Sequence, residues 1–156
     1  MKSFRQYIKE QVSEYDDLFH AIGEVESGND DDAIGDDGNA LGRYQIWEIY
    51  WQDAIEHDPS IGGEYTDVTN PEYARKVMLA YWDRYATKKR LGHEPTLEDL
   101  ARIHNGGPNG FKRDSTLGYW EKVKDVLEGT PLPDDDDISI AAPSAILMPM
   151  ARRGKK

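Results

Sequence analysis

Residues 24–46 read EVESGNDDDAIGDDGNALGRYQI. Upstream of them, Leu18, Phe19, Ile22 and Val25 recur at helical spacing and lead into Glu26. Ser27-Gly28-Asn29 ends that helix, because Gly and Asn most readily take the left-handed conformation of a C-terminal cap. Residues 30–43 hold five Asp and three Gly among short apolar side chains. Such a stretch predicts a small hairpin with its tight turn at Asp37-Gly38.

Downstream the pattern is helical. Tyr44 to Ile55 predicts a helix, with Ile46, Ile49/Tyr50 and Asp53/Ala54 at three-to-four spacing. Residues 56–69 read as a loop containing Pro59 and Gly62-Gly63. Asn70-Pro71 supplies a cap and a first-turn proline. Ala74, Val77, Met78, Tyr81, Trp82 and Tyr85 follow, predicting the central core helix. Gly92 and Pro95 punctuate. Thr96 and Asp99 form a capping-box pattern before Leu97, Leu100, Ala101 and Ile103. That helix stops in Asn105-Gly106-Gly107-Pro108-Asn109-Gly110, and a last one is expected from about Thr116 to Leu127. The fold class predicted is α+β and mainly helical, with one small β-hairpin. Three segments are expected: a leader or docking helix over 1–16, a catalytic domain over 17–130 and a flexible tail over 131–156.

Composition narrows the function. The net charge of −11 argues against a nucleic-acid partner, which needs clustered Lys and Arg. With no cysteine, thiol chemistry and disulfide staples are excluded. The first 20 residues lack the apolar run of a signal peptide, and Ile138–Met150 is too short and too proline-broken to span a bilayer. The expectation is a chain made in a cytoplasm, acting as a monomer with no membrane span.

Among the side chains, Glu26 is the best candidate for acid chemistry. A carboxylic acid that protonates a leaving oxygen near neutrality needs apolar burial or nearby negative charge. Ile22 and Val25 supply the first, and Asp30, Asp31 and Asp32 could supply the second. Asp36 or Asp37 is the candidate second carboxylate, since glycoside hydrolysis uses two. Read as a calcium loop, the same acids fail, because Ile34 and Leu41 fall on ligand positions. The four histidines show no zinc spacing, so neither metal nor cofactor is expected. Ser115 lies in no nucleophile-elbow pattern. His104 and Asn105, beside a glycine-rich turn, suit hydrogen bonds to backbone or sugar. Tyr44 and Gln45 lie next to the candidate hairpin, and aromatic rings with a polar edge suit sugar faces.

At this point the residues resemble a known family. EVESG at 24–28, Asp-x-Gly-Asn at 36–39, GRYQI at 42–46, YWQDA at 50–54 and ARIHNGGPNGFKRDSTLGYWEKV at 101–123 look like the invertebrate-type (destabilase-type) lysozymes. The likeness spans roughly 18–127. It implies a lysozyme-like fold with the hairpin beside the active-site cleft. The implied activity is hydrolysis of the β-1,4 bond between N-acetylmuramic acid and N-acetylglucosamine, with peptidoglycan glycan strands as partner. The family's general acid falls on Glu26. Its second carboxylate falls on Asp36, although a one-residue deletion before Gly42 keeps Asp37 open. Gln45, Tyr44, His104 and Asn105 are expected to line the cleft. Some members are reported to cleave isopeptide bonds; no residue here independently supports that. The family is disulfide-rich, whereas Gly23, Leu41, Ala54 and Phe111 occupy what look like its cysteine positions. That departure suggests a core refitted for a reducing compartment, and hence a bacteriophage or bacterial member. The rival expectations are a lytic transglycosylase using Glu26 alone, and a non-catalytic glycan-binding virion protein.

Overall fold

A computed structural model describes residues 12–129 of the chain. The 1–11 part of the expected leader, the tail beyond 129 and the apolar Ile138–Met150 stretch lie outside the described residues. Helix α1, described over Val12–Ser27, crosses residue 16 without a break. A two-stranded antiparallel hairpin follows, β1 (Ile34–Gly35) and β2 (Ala40–Leu41), with Ile34 opposite Leu41 and Gly35 opposite Ala40. Then come α2 (Glu48–His57), α3 (Pro71–Tyr85), α4 (Lys88–Leu91), α5 (Leu97–Gly106) and α6 (Leu117–Leu127). The mainly helical α+β fold is the one expected from the sequence.

Helix α3 is the centre of the core. Its cap is as expected: the Asn70 side chain accepts from the Tyr73 amide, and Pro71 opens the first turn. Ala74, Val77, Met78, Ala80, Tyr81 and Trp82 are buried along one face. Phe19 of α1 stacks on Trp82 with centroids 5.5 Å apart, and the Trp82 indole donates to the Leu100 carbonyl of α5. Helix α2 packs on α3, while α1 packs on α5 and α6. The capping box at Thr96 and Asp99 forms in both directions.

Three segments differ from the sequence expectation. The helix expected from Tyr44 starts only at Glu48. Residues 42–45 are a turn, Gln45 has a left-handed φ of 52°, and Ile46 pairs with Leu41 through two backbone hydrogen bonds. Ile46 is therefore buried by strand pairing, and its helical spacing to Tyr50 is incidental. Residues 56–69 are not a featureless loop, because Pro59–Ile61 and Tyr65–Thr69 form 3-10 turns. Between Gly92 and α3, Thr87 caps the short helix α4.

The hairpin leans on the second of those turns at Gly42. Its φ is 78°, and a Cβ there would lie 2.7 Å from the Val68 carbonyl oxygen. Both constraints exclude a side chain. Gly42→Ala should cost about 1–3 kcal/mol from the backbone conformation alone, plus displacement of the hairpin. A denaturant midpoint equal to that of the parent protein would show that the hairpin is not seated this way.

Candidate active site

Glu26 lies in the last turn of α1 with a relative exposure of 0%. A buried carboxyl needs partners, and two helices, α5 and α6, bring them. The Tyr119 hydroxyl, from α6, donates to Oε2 at 3.1 Å. The His104 imidazole, from α5, brings Nε2 to 3.4 Å of the same oxygen. That nitrogen is also 2.9 Å from the Tyr44 carbonyl oxygen, and the Tyr50 hydroxyl of α2 sits 3.0 Å from Nδ1. Tyr44, His104 and Tyr119 are fully buried and Tyr50 nearly so. Burial disfavours the charged form of Glu26, and the Tyr119 donor favours it.

The helix end is tied to the hairpin through Ser27. Its hydroxyl donates to the Arg43 carbonyl at 2.7 Å and accepts from the Asp30 amide. Asn29, with φ 60°, turns the chain and returns its amide to the Gly23 carbonyl. The acidic run beyond it is structural. Asp31 takes a two-pronged bond from Arg43, at 2.7 and 3.3 Å, and this pairing holds the guanidinium pKa above its usual value. Asp30 accepts the Asp32 amide. The sequence reading that these acids could press on Glu26 is thus corrected for Asp31, whose charge is offset by Arg43.

Asp36 and Asp37 sit at the hairpin tip with left-handed φ values of 49° and 57°. They differ in environment. Asp36 is half-buried, with its Oδ2 out of contact with solvent, whereas Asp37 is exposed. A carboxylate with one shielded oxygen is the better-positioned of the two.

Two of the other expected site residues, Gln45 and Tyr44, are engaged by protein partners. The Gln45 side chain is fully buried and donates to the Gly42 carbonyl at 2.9 Å and the Ala33 carbonyl at 3.3 Å, bracing the base of the hairpin. The Tyr44 hydroxyl accepts from Arg75 at 2.9 Å. Asn105 is 5% exposed, and its Nδ2 has no hydrogen-bond partner among the described residues. Sequence reasoning missed the roles of Tyr50 and Tyr119. Both looked like core aromatics, and nothing in a one-dimensional pattern marks a contact across 93 residues.

Elsewhere, a groove of about 530 Å³ between α2 and α3 is lined by His57, Asp58, Ser60, Lys76 and Asp83, among others. It contains none of these candidates. The Ser60 hydroxyl donates to Asp58 and the His57 ring bonds Asp83, so the three do not form a serine–histidine relay. No group of His, Asp and Glu among the described residues could hold a metal ion, and no described helix is long and apolar enough to cross a membrane.

The family model described as Destabilase matches residues 16–126. The chain belongs to the Destabilase family. It is 42% identical over 84 residues to a lysozyme of Magallana gigas, covering 54% of this chain and 58% of that one. It is 33% identical over 116 residues to invertebrate-type lysozyme 3 of Caenorhabditis elegans, covering 69% of this chain and 83% of that one. The chain spans about half the length of some curated relatives, 44% for lysozyme 1 of Crassostrea virginica. Among solved structures it resembles a chain in the crystal structure of Aeromonas hydrophila PliI in complex with Meretrix lusoria lysozyme. The TM-score there is 0.60 at 32% identity, over 69% of this chain and 86% of that one. It also resembles Tapes japonica lysozyme, with a TM-score of 0.58 at 27% identity, over 76% and 92% of the two chains. These neighbours establish a lysozyme-like fold. The named relatives are invertebrate proteins, so they give no support to the phage origin expected from the missing cysteines.

Burial also fixes how the aromatic wall of this site behaves in alkali. Tyr65 donates to the Ile46 carbonyl at 2.7 Å. Desolvation first, and the Glu48 charge second, push its phenol up to about 12. Desolvation also raises Tyr50 and Tyr81 above the ordinary phenol value. A raised phenol pKa means that the fold favours the neutral form. Its stabilising contribution is complete below the ordinary value near about 10 and is lost as pH climbs through the folded values. Ultraviolet titration of phenolate should show a late-ionising subset accompanied by unfolding. All nine tyrosines titrating together near about 10 would contradict this packing.

Proposed function

We propose that this protein is a muramidase, cleaving the β-1,4 bond between N-acetylmuramic acid and N-acetylglucosamine in peptidoglycan. Glu26 is the general acid and Asp36 the second carboxylate. The observation that carries the proposal is a fully buried carboxyl at a helix end, hydrogen-bonded by Tyr119, in a chain of this family. A carboxyl sheltered from water and held by fixed donors is suited to delivering a proton to a leaving oxygen. Because Glu26 is fully covered, the arriving sugar must part the residues over it. The opening would admit the glycosidic oxygen and keep bulk water out.

In the first step the Glu26 proton passes to the glycosidic oxygen while the C1–O bond breaks. The bond's electron pair leaves with that oxygen. Asp36 stabilises, or attacks, the positive charge developing at C1. Asn105, with an unspent donor beside His104, is the residue best placed to bond a sugar oxygen. Glycan strands are the partner, and the enzyme acts as a monomer without metal or cofactor. Synthesis in a reducing compartment fits a core that uses no cysteine.

Product analysis on purified peptidoglycan tests the reading. A reducing-end muramic acid is expected, whereas a 1,6-anhydro ring would make the protein a transglycosylase. Glu26→Gln should lower turnover by about 10²–10⁴, and Asp36→Asn should also lower it. Undiminished wall lysis by Glu26→Gln would overturn the assignment. Normal turnover by Asp36→Asn would remove the second carboxylate from the mechanism.

A further inference from the structure

His104 is the buried titratable group that the reaction as written does not use. Its surroundings define its state. The Tyr44 backbone oxygen, 2.9 Å from Nε2, can only accept, so Nε2 carries a hydrogen. The same nitrogen lies 3.4 Å from Glu26 Oε2, while its hydrogen is directed at the Tyr44 oxygen. On the other side of the ring, Nδ1 meets the Tyr50 hydroxyl at 3.0 Å. The Tyr50 ring is clamped against Tyr81, 3.7 Å away and 8° from parallel, and stands edge-on to the imidazole at 5.3 Å. Taken with the Tyr50 hydroxyl as donor to Nδ1 and Nε2–H as donor to the Tyr44 carbonyl, the imidazole is neutral.

From this geometry we infer that His104 is a positioning residue for Glu26, and that it rests on the muramidase reading above. Oε2 accepts from the Tyr119 hydroxyl and lies 3.4 Å from the positive N–H edge of the His104 ring. An oxygen so engaged is held as an acceptor, so the transferable proton resides on Oε1. When that proton moves to the glycosidic oxygen and the C1–O bond breaks, the negative charge left on the carboxyl develops toward donors already in place. No proton needs to move on His104, and neutrality is the condition for its role. A charged imidazolium at this distance would hold Glu26 as the carboxylate and remove the acid. Tyr50, in turn, keeps Nδ1 occupied by a donor.

Three variants of the full chain test this. His104→Gln restores an N–H near the Nε2 position and cannot become charged, whereas His104→Leu has no donor. The Leu variant should lose about 100-fold in kcat, the scale of a misplaced catalytic group. Its KM should stay within about twofold, because the lost contact acts in the transition state. The Gln variant should recover at least about tenfold of that loss. A purely structural role would lower the thermal midpoint of both without separating them in kcat. Equal kcat in the Gln and Leu variants overturns the inference. If both fail to fold, Tyr50→Phe decides, because it keeps the ring packed on Tyr81 and removes only the hydroxyl. A several-fold fall in kcat at constant KM is expected, and unchanged kcat overturns the inference. Glu26→Gln separates the two levels. If it stays active, the muramidase reading fails. If it is inactive while the His104 variants match the parent enzyme, only the positioning role fails.

Discussion

The structure turns on a carboxyl group with no exposure to water at the end of α1. An unsatisfied polar group buried in a protein costs kilocalories, and an unpaired charge costs more. Glu26 can sit where it does only because α6 brings Tyr119 and α5 brings His104 to its Oε2. His104 is itself fixed by the Tyr44 carbonyl and by Tyr50, which stacks on Tyr81 of α3. One side chain thereby ties the positions of α1, α2, α3, α5 and α6 together. The chemistry proposed for the site and the arrangement of the helical core share one set of contacts.

The hairpin is held to this core by polar contacts. Ser27 reaches the Arg43 backbone, Arg43 grips Asp31, and Gln45 braces the carbonyls of Ala33 and Gly42. On α5, Arg102 is almost fully buried and bonds Thr116, Glu98 and the Arg113 carbonyl. Thr116 in turn donates to the Gly110 carbonyl. Arg90 bonds the Tyr85 and Pro108 carbonyls and the Asn109 side chain. The glycine-rich turn after α5 is thus pinned from two sides by arginines. Guanidinium groups carry several donors in a fixed fork and can satisfy several acceptors at once. Of the positions that look like replaced cysteines, Ala54 is buried in the core and Phe111 lies under Arg90.

Much of this was legible in the sequence, for physical reasons that can be named. The apolar spacing of Leu18, Phe19, Ile22 and Val25 and of the α3 face has the period of a helix buried on one side, and those residues are buried. The caps at Asn70 and Thr96 are short-range chemistry, confined to four residues, and they form as read. Glu26 stood out because a helix end meets turn residues there. The start of α2 was misread because Ile46 is buried by pairing with Leu41, and helical spacing cannot distinguish that from a helix face. The contacts of Glu26 were not legible for a different reason. Tyr119 carries an ordinary core signature, and His104, although a site candidate, gave no sign in the sequence that it would face Glu26 rather than solvent. Asp31 of the acidic run misled in the opposite sense, because charge count ignores where Arg43 folds back.

The central claim is that the reacting sugar bond meets this protein at Glu26. A crystal structure of the Glu26→Gln variant soaked with a peptidoglycan oligosaccharide tests it most directly. A glycosidic oxygen is predicted within about 3 Å of the residue-26 side chain, with the sugar running past the hairpin that carries Asp36. A sugar seated instead in the groove of His57, Lys76 and Asp83, with Glu26 still covered, would contradict it.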